Sequence, residues 1–255
     1  IEDPDSPASP PTKALGLALA AEIEASLKNR LGSVRYFQGS IRVLRQIAQA
    51  APPVEMAELH DHLGRAAIQL SDMQRAMRHL GLALKALTGL PDPDPHRMRD
   101  LTLALVSGYR KVADYPAAQE YAANLVRFDE ARHGSHHPLV VQDRVEMGIL
   151  LYEGGEVHRA IEQTRIALRS GLKLYRRDHP EIARIEFNLG SFSQEAGRIS
   201  DARMHFARAR SLFEGSLGED HSSTARAREA LAILERKSKT KRARGSDGLP
   251  PSERP

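Results

Sequence analysis

Eleven histidines and no cysteine set the terms for any chemistry this chain of 255 residues could perform. Without a thiol, disulfides, thiolate metal sites and a cysteine nucleophile are excluded. His60 and His62 stand two apart in a helical stretch, so they point to different faces and cannot hold one ion from there. His133, His136 and His137 cluster in a loop, but no well-spaced carboxylate completes the four ligands of a structural zinc site. Neither a G-x-x-x-x-G-K-[ST] nor a G-x-G-x-x-G follows a strand, so no phosphate cradle is encoded. Carboxylate pairs such as Glu219-Asp220 fall in junctions, and no serine has nucleophile-elbow spacing. The chain reads as a non-enzyme with no metal and no cofactor.

What the histidines do carry is a period. Asp178-His179-Pro180 is echoed by His137-Pro138 one step of 42 residues earlier and by Asp220-His221 one step later. The same step relates Ala76, Ala118, Ala160 and Ala202. Twelve residues before each alanine stand Gly64, Val106, Gly148 and Gly190, preceded by Leu63, Leu105, Met147 and Leu189. Three residues before each alanine comes an apolar residue: Met73, Tyr115, Val157 or Ile199. Four columns keeping one period over four units define a repeat. A small residue on one helix and another twelve later let two antiparallel helices approach closely, with apolar neighbours forming the buried stripe. Turn signals lie between them, at Leu70-Ser71-Asp72, at "EGGE" 153–156 and at "EAGR" 195–198. Each unit is a helix–turn–helix hairpin. Asp-His-Pro marks the junction between units, where proline suits the first turn of the next helix and an acid favours its positive end.

Composition agrees. Hydrophobic residues make up 41% and charged residues 27%, aromatics only 5%, and tryptophan is absent, a balance that favours helices over sheets. No apolar run reaches the roughly 18–20 residues that span a bilayer. The sequence pI of about 9.4 suggests nucleic acid until the charge is located. Positions 236–255 hold seven of the 37 basic and two of the 33 acidic residues, which leaves 30 and 31 in the body. The basicity belongs to a tail, in Lys237, Lys239, Lys241, Arg242 and Arg244. That cluster suits nucleic acid, an acidic partner or an anionic membrane, or is simply a solvated end.

The spacing of the small residue and the later alanine resembles the tetratricopeptide repeat. The 42-residue step with its Asp-His-Pro loop resembles the kinesin light chain variety, and Leu217-Gly218-Glu219-Asp220-His221 is similar to that family's inter-repeat loop. "FNLG" at 187–190 keeps one asparagine, Asn188, where the family carries two. The resemblance covers residues 54–236. It implies an all-α fold, an α-solenoid coiled as a right-handed superhelix of hairpins closed by a capping helix.

Helices are expected near 13–31, 34–51, 54–70, 73–89, 95–113, 115–133, 137–154, 157–176, 179–197, 199–217 and 221–240. The first pair is divergent, with Ser40 in the place of the alanine. The last helix is polar along Arg226, Arg228, Glu229 and Arg236 and reads as a solvating cap. Residues 1–12 read as a flexible Pro-rich segment, 13–236 as the repeat array and 237–255 as a flexible basic tail. The opening "IEDPDSPASPPTK" has neither an initiator Met nor a signal-like segment, as in a chain whose leader has been removed or a piece of a longer one. The compartment is left open, between the cytoplasm and an organelle.

Stacked hairpins present their first helices along an inner wall. Counting from the small residue, that wall should carry Asp61 and Arg65, then Leu103, Arg110 and Lys111. It continues with Val145, Ile149, Tyr152 and Glu153, and with Phe187, Asn188, Ser191 and Glu195. Such a wall, basic, then apolar, then acidic, suits a peptide or helix of a protein partner. Chaperone-binding relatives grip a carboxylate with lysine, but the corresponding positions here are Asp61, Leu103, Val145 and Phe187, which disfavours that clamp. The reading is a protein-interaction scaffold, adaptor or accessory subunit. Alternatives are a nucleic-acid-associated protein using its tail, or the regulatory arm of a larger enzyme.

Overall fold

The computed structural model describes residues 9–47 and 52–246, with side chains for all of these except 47 and 237–246. The described residues form helices throughout: α1 Pro10–Ser26, α2 Arg30–Ile47, α3 Pro53–Gln69, α4 Met73–Thr88, α5 Pro95–Lys111, α6 Tyr115–His133, α7 Pro138–Glu153, α8 Val157–Leu174, α9 Pro180–Glu195, α10 Ile199–Leu217 and α11 Ser222–Ser246. They pack as consecutive hairpins, the all-α architecture of a repeat solenoid. The chain divides into two compact units, residues 1–125 and 126–255.

The repeat columns have direct structural meaning. Met73, Tyr115, Val157 and Ile199 each open the second helix of a hairpin. The alanines three residues later are all buried, at 1% exposure or less. The small residues of the first helices are where the partner helix comes closest. A Cβ on Gly64 would lie 2.7 Å from Leu80, one on Gly190 would lie 2.6 Å from Phe206, and one on Gly148 would run into the Thr164 hydroxyl. Each of these partners sits sixteen residues after its glycine. Where the first helix carries Val106 instead, the residue at the same offset is Ala122, so the larger side chain has changed helices. Close packing of this kind is felt at the level of single methylene groups.

Each of the four hairpin turns after the first is closed by one residue in the left-handed region, again at a 42-residue step: Ser71, Ala113, Gly155 and Gly197, with φ of 63°, 58°, 83° and 71°. The following amide bonds back into the helix in every case, as Asp72 N–H to the Ala67 carbonyl and Arg198 N–H to the Ser193 carbonyl do at 2.9 and 2.8 Å. This is the Schellman arrangement, which satisfies the last carbonyls of a helix. At the junctions the histidines are N-caps. His137 and His179 accept through Nδ1 from the amides of Leu139 and Glu181 at 3.3 and 3.1 Å, each followed by proline at the first helical position. His221 caps α11 likewise from Ser223.

A further column joins the helices of a hairpin by a polar pair nineteen residues apart. His60 meets His79 at 2.9 Å, Arg144 donates to Gln163 at 3.2 Å, and His205 meets Glu186 at 2.6 Å. Burial pushes His60 down to about 4, and burial together with His60 pushes His79 down to about 4, so both are neutral at pH 7. Buried polar groups demand partners, and these pairs fix one register of helix against helix.

The first hairpin departs from the pattern and from the expected limits. Ser9 accepts from the Thr12 amide and Pro10-Pro11 occupy the first turn, so α1 starts at Pro10, not near 13, and it stops at Ser26 rather than near 31. Ser33 and Ser40 are fully buried and donate to the Ala21 and Ala14 carbonyls at 2.8 and 2.9 Å, against Ala14, Ala18 and Ala21. Small residues on both helices thus replace the glycine–large pairing. At the other end α11 continues to Ser246, past the expected 240. Lys237, Lys239, Lys241, Arg242 and Arg244 fall on its last turns, their side chains outside the described residues.

Candidate protein-binding surface

In the first unit the expected wall residues are held in an ionic network. Asp61 is buried, at 7% exposure, and accepts from Arg65 Nε at 2.7 Å while Arg97 of α5 approaches to 3.7 Å. That hydrogen bond holds the Arg65 guanidinium above its ordinary range, and Arg97 also reaches Glu58 at 3.3 Å. Asp61 therefore ties α3 to α5 and is not presented to a partner. Arg65, Leu103 and Lys111 are exposed and Arg110 half-exposed. His62, two residues from His60, faces α1 and pairs with Glu22 at 2.7 Å.

In the second unit the expected wall residues are a mixture of apolar, aromatic and polar side chains. Val145, expected to be an accessible anchor, is fully buried. It packs into the core with its neighbours on α7, and the wall begins beside it at the half-buried Ile149 and Tyr152. Tyr152 stacks on Phe192 at 4.6 Å, which fixes its ring. Glu153 is half-exposed and Glu195 exposed. The Ser191 hydroxyl is turned back onto the Phe187 carbonyl at 3.2 Å.

Ile149, Phe187 and Asn188 come together in one pocket of about 380 Å³, along with Phe213 and Leu217 of α10 and Arg226 of α11. The Phe187 ring packs on Phe206 at 5.3 Å, and the Arg226 guanidinium lies 5.1 Å from its centroid. Arg184 is held by two hydrogen bonds to Glu181 Oε2, at 3.0 and 2.6 Å. The half-exposed Asn188 makes no side-chain hydrogen bond among the described residues. The pocket can thus take an apolar side chain against Phe187 and Phe213, meet a carboxylate or carbonyl at its arginines and bond a backbone amide through Asn188.

Of the residues expected on the wall, Ile149, Phe187 and Asn188 line this pocket, together with two arginines that the expectation did not include. Arg184 and Arg226 are themselves 42 apart, and Arg184 stands three before Phe187. One more helical turn along the same face would have found both. Arg226, read as part of a solvating cap, instead lies over an aromatic ring.

Among the described residues no group of three or more His, Cys, Asp or Glu is placed to hold a metal ion, and His133 stacks on the capping His137 at 4.4 Å. No described helix is long and apolar enough to cross a membrane.

Residues 181–245 match the family model of the tetratricopeptide repeat. No curated protein matches the chain in sequence. Among solved structures, BtubC (BKLC) from P. vanneervenii is similar at a TM-score of 0.61 and 15% identity, over 98% of this chain and 96% of that one. A putative kinesin light chain of Podospora anserina with nearly identical TPR-like repeats gives 0.63 and 17%, over 81% and 97%. The apo form of RapI gives 0.68 and 14%, over 93% of this chain and 63% of its own. At such identities the likeness is one of fold.

Proposed function

We propose that this chain is a tetratricopeptide-repeat protein acting as a non-catalytic scaffold, which binds a peptide or helix of a partner protein on the first-helix face of its second unit. Repeat solenoids generally serve as protein-binding surfaces. The observation that carries the reading is the juxtaposition of Phe187 and its overlying Arg226 with the uncommitted amide of Asn188. Burial of an aromatic or aliphatic anchor supplies affinity, the arginines set charge preference, and the amide fixes the backbone of an extended or helical segment. A role as adaptor or accessory subunit follows from that chemistry.

Affinity capture from the native source tests the reading, comparing the intact chain with Phe187→Asp and with Arg226→Glu. Both changes lie at the pocket and leave the buried Val145 and Phe206 in place. The expected result is one partner retained by the intact chain and lost from both variants while their helical content is unchanged. A partner retained by both variants would show that binding lies elsewhere, and loss only on truncation after Glu235 would assign it to the basic end.

A further inference from the structure

The first unit carries a cavity of its own, between its second helices α2 and α4. It measures about 570 Å³. Its floor is apolar, with Phe37 and Leu44 nearly buried and Ile41 beside them, and Leu82 stands at its edge at 40% exposure. The His60–His79 pair closes the base and Phe37 meets His79 edge-on at 5.9 Å.

Four exposed arginines rim this floor: Arg42 and Arg45 from α2, Arg75 and Arg78 from α4. Arg75 is 3.4 Å from Asp72, while Arg42, Arg45 and Arg78 make no ion pair among the described residues. No carboxylate lines the cavity. Both arginine pairs have like charges three residues apart on one helix, a spacing that disfavours the helix unless an anion is near. Two such pairs facing across one apolar trough have no use in packing the hairpins, whose helices meet through Ser33 and Ser40 in the first and through Gly64 and Ala76 in the second.

We infer that this trough is a docking surface for one face of an acidic amphipathic helix of a partner protein. The lined stretch of α2, from Phe37 to Arg45, is about 12 Å long at ~1.5 Å per residue, or roughly two helical turns. Two apolar residues of the incoming helix one turn apart fit between Phe37, Ile41 and Leu82, and carboxylates on either side of them meet the arginine rows. The two histidines are neutral at pH 7, so the positive field is that of the guanidinium groups. This surface does not depend on the pocket around Phe187.

The test uses the full chain and two fluorescein-labelled synthetic helices with the same leucine face, one with glutamate and one with lysine on its polar face. The glutamate helix should bind the wild type, with an affinity that falls as salt is raised. Arg45→Glu/Arg78→Glu should weaken it about tenfold or more and should now accept the lysine helix, a reversal that a misfolded protein could not produce. Leu82→Asp should abolish glutamate-helix binding in the wild-type background and lysine-helix binding in the charge-reversed chain. Equal binding of the glutamate helix to wild type and charge-reversed chain would overturn the proposal, as would failure of the wild type to bind it. Binding of dodecanoate with neither helix bound would also overturn it, and would make the trough a site for a small anionic amphiphile.

Discussion

Replacing Gly190 by valine and Phe206 by alanine, singly and together, probes the principle on which the hairpins are built. A Cβ at 190 would stand 2.6, 2.7 and 2.9 Å from three atoms of the Phe206 ring, and that ring is only 2% exposed. Gly190→Val alone should therefore cost about 2 kcal/mol by overpacking, after a gain of a few tenths in helix propensity. Phe206→Ala alone should cost about 3–5 kcal/mol, because it opens a cavity against Leu231, Leu234 and Phe187. Together they recreate the Val106 and Ala122 combination that the third hairpin already carries. The valine refills roughly half of the lost ring, so the double variant should be about 2 kcal/mol more stable than the sum of the singles. Urea unfolding followed by circular dichroism gives the global values, and hydrogen exchange of α9 and α10 amides reads them locally. Additivity to within about 0.5 kcal/mol would refute the idea that the glycine and its partner are one packing unit.

The remaining predictions concern the turns and the buried imidazoles. Ala113 holds the left-handed position that Gly155 and Gly197 hold elsewhere, so Ala113→Gly should stabilise the chain by about 0.5 kcal/mol after the extra unfolded-state entropy, measurable by urea unfolding. His60 and His79 have folded-state values near 4 against 6.5 when unfolded, so the unfolded chain binds more protons between those values. Their stabilising neutrality is complete above about pH 6.5 and is lost as pH falls towards 4, by at most about 3 kcal/mol for each ring. Unfolding free energies across that window should slope upward with pH, and His60→Leu/His79→Leu should flatten the slope. His179→Ala should cost about 1 kcal/mol through loss of the α9 cap and His179→Asp should recover it, as seen in thermal unfolding of the three proteins.

The repeat columns carried most of the architecture because each column is a physical contact. The limits of α3 to α10 follow from turn residues and prolines that recur at one step. The first hairpin was harder to place, since its seam uses Ser33 and Ser40 bonded to α1 carbonyls, which leaves no glycine–alanine signal. The wall was only partly recoverable. Asp61, Leu103, Val145 and Phe187 occupy one column, yet they are buried at 7%, exposed at 38%, fully buried and half-buried. Position on a helix face fixes direction, but what the neighbouring helix presents there decides exposure. Asp61 is covered because Arg97 lies across it, a pairing between residues 36 apart that no local pattern reveals. The polar pairs at an offset of nineteen also escaped, because their chemistry changes from hairpin to hairpin while their geometry does not.

The central claim, that the Phe187 pocket holds a partner's segment, is tested most directly by placing a photo-crosslinking residue at Asn188 and, separately, at the exposed Arg203 of α10. Illumination in extracts of the native source, followed by mass spectrometry of the adducts, gives the contact at residue level. One protein should be captured at 188, through a short segment containing an apolar anchor, and not at 203. Equal capture of that protein at both positions, or at 203 alone, would contradict the account.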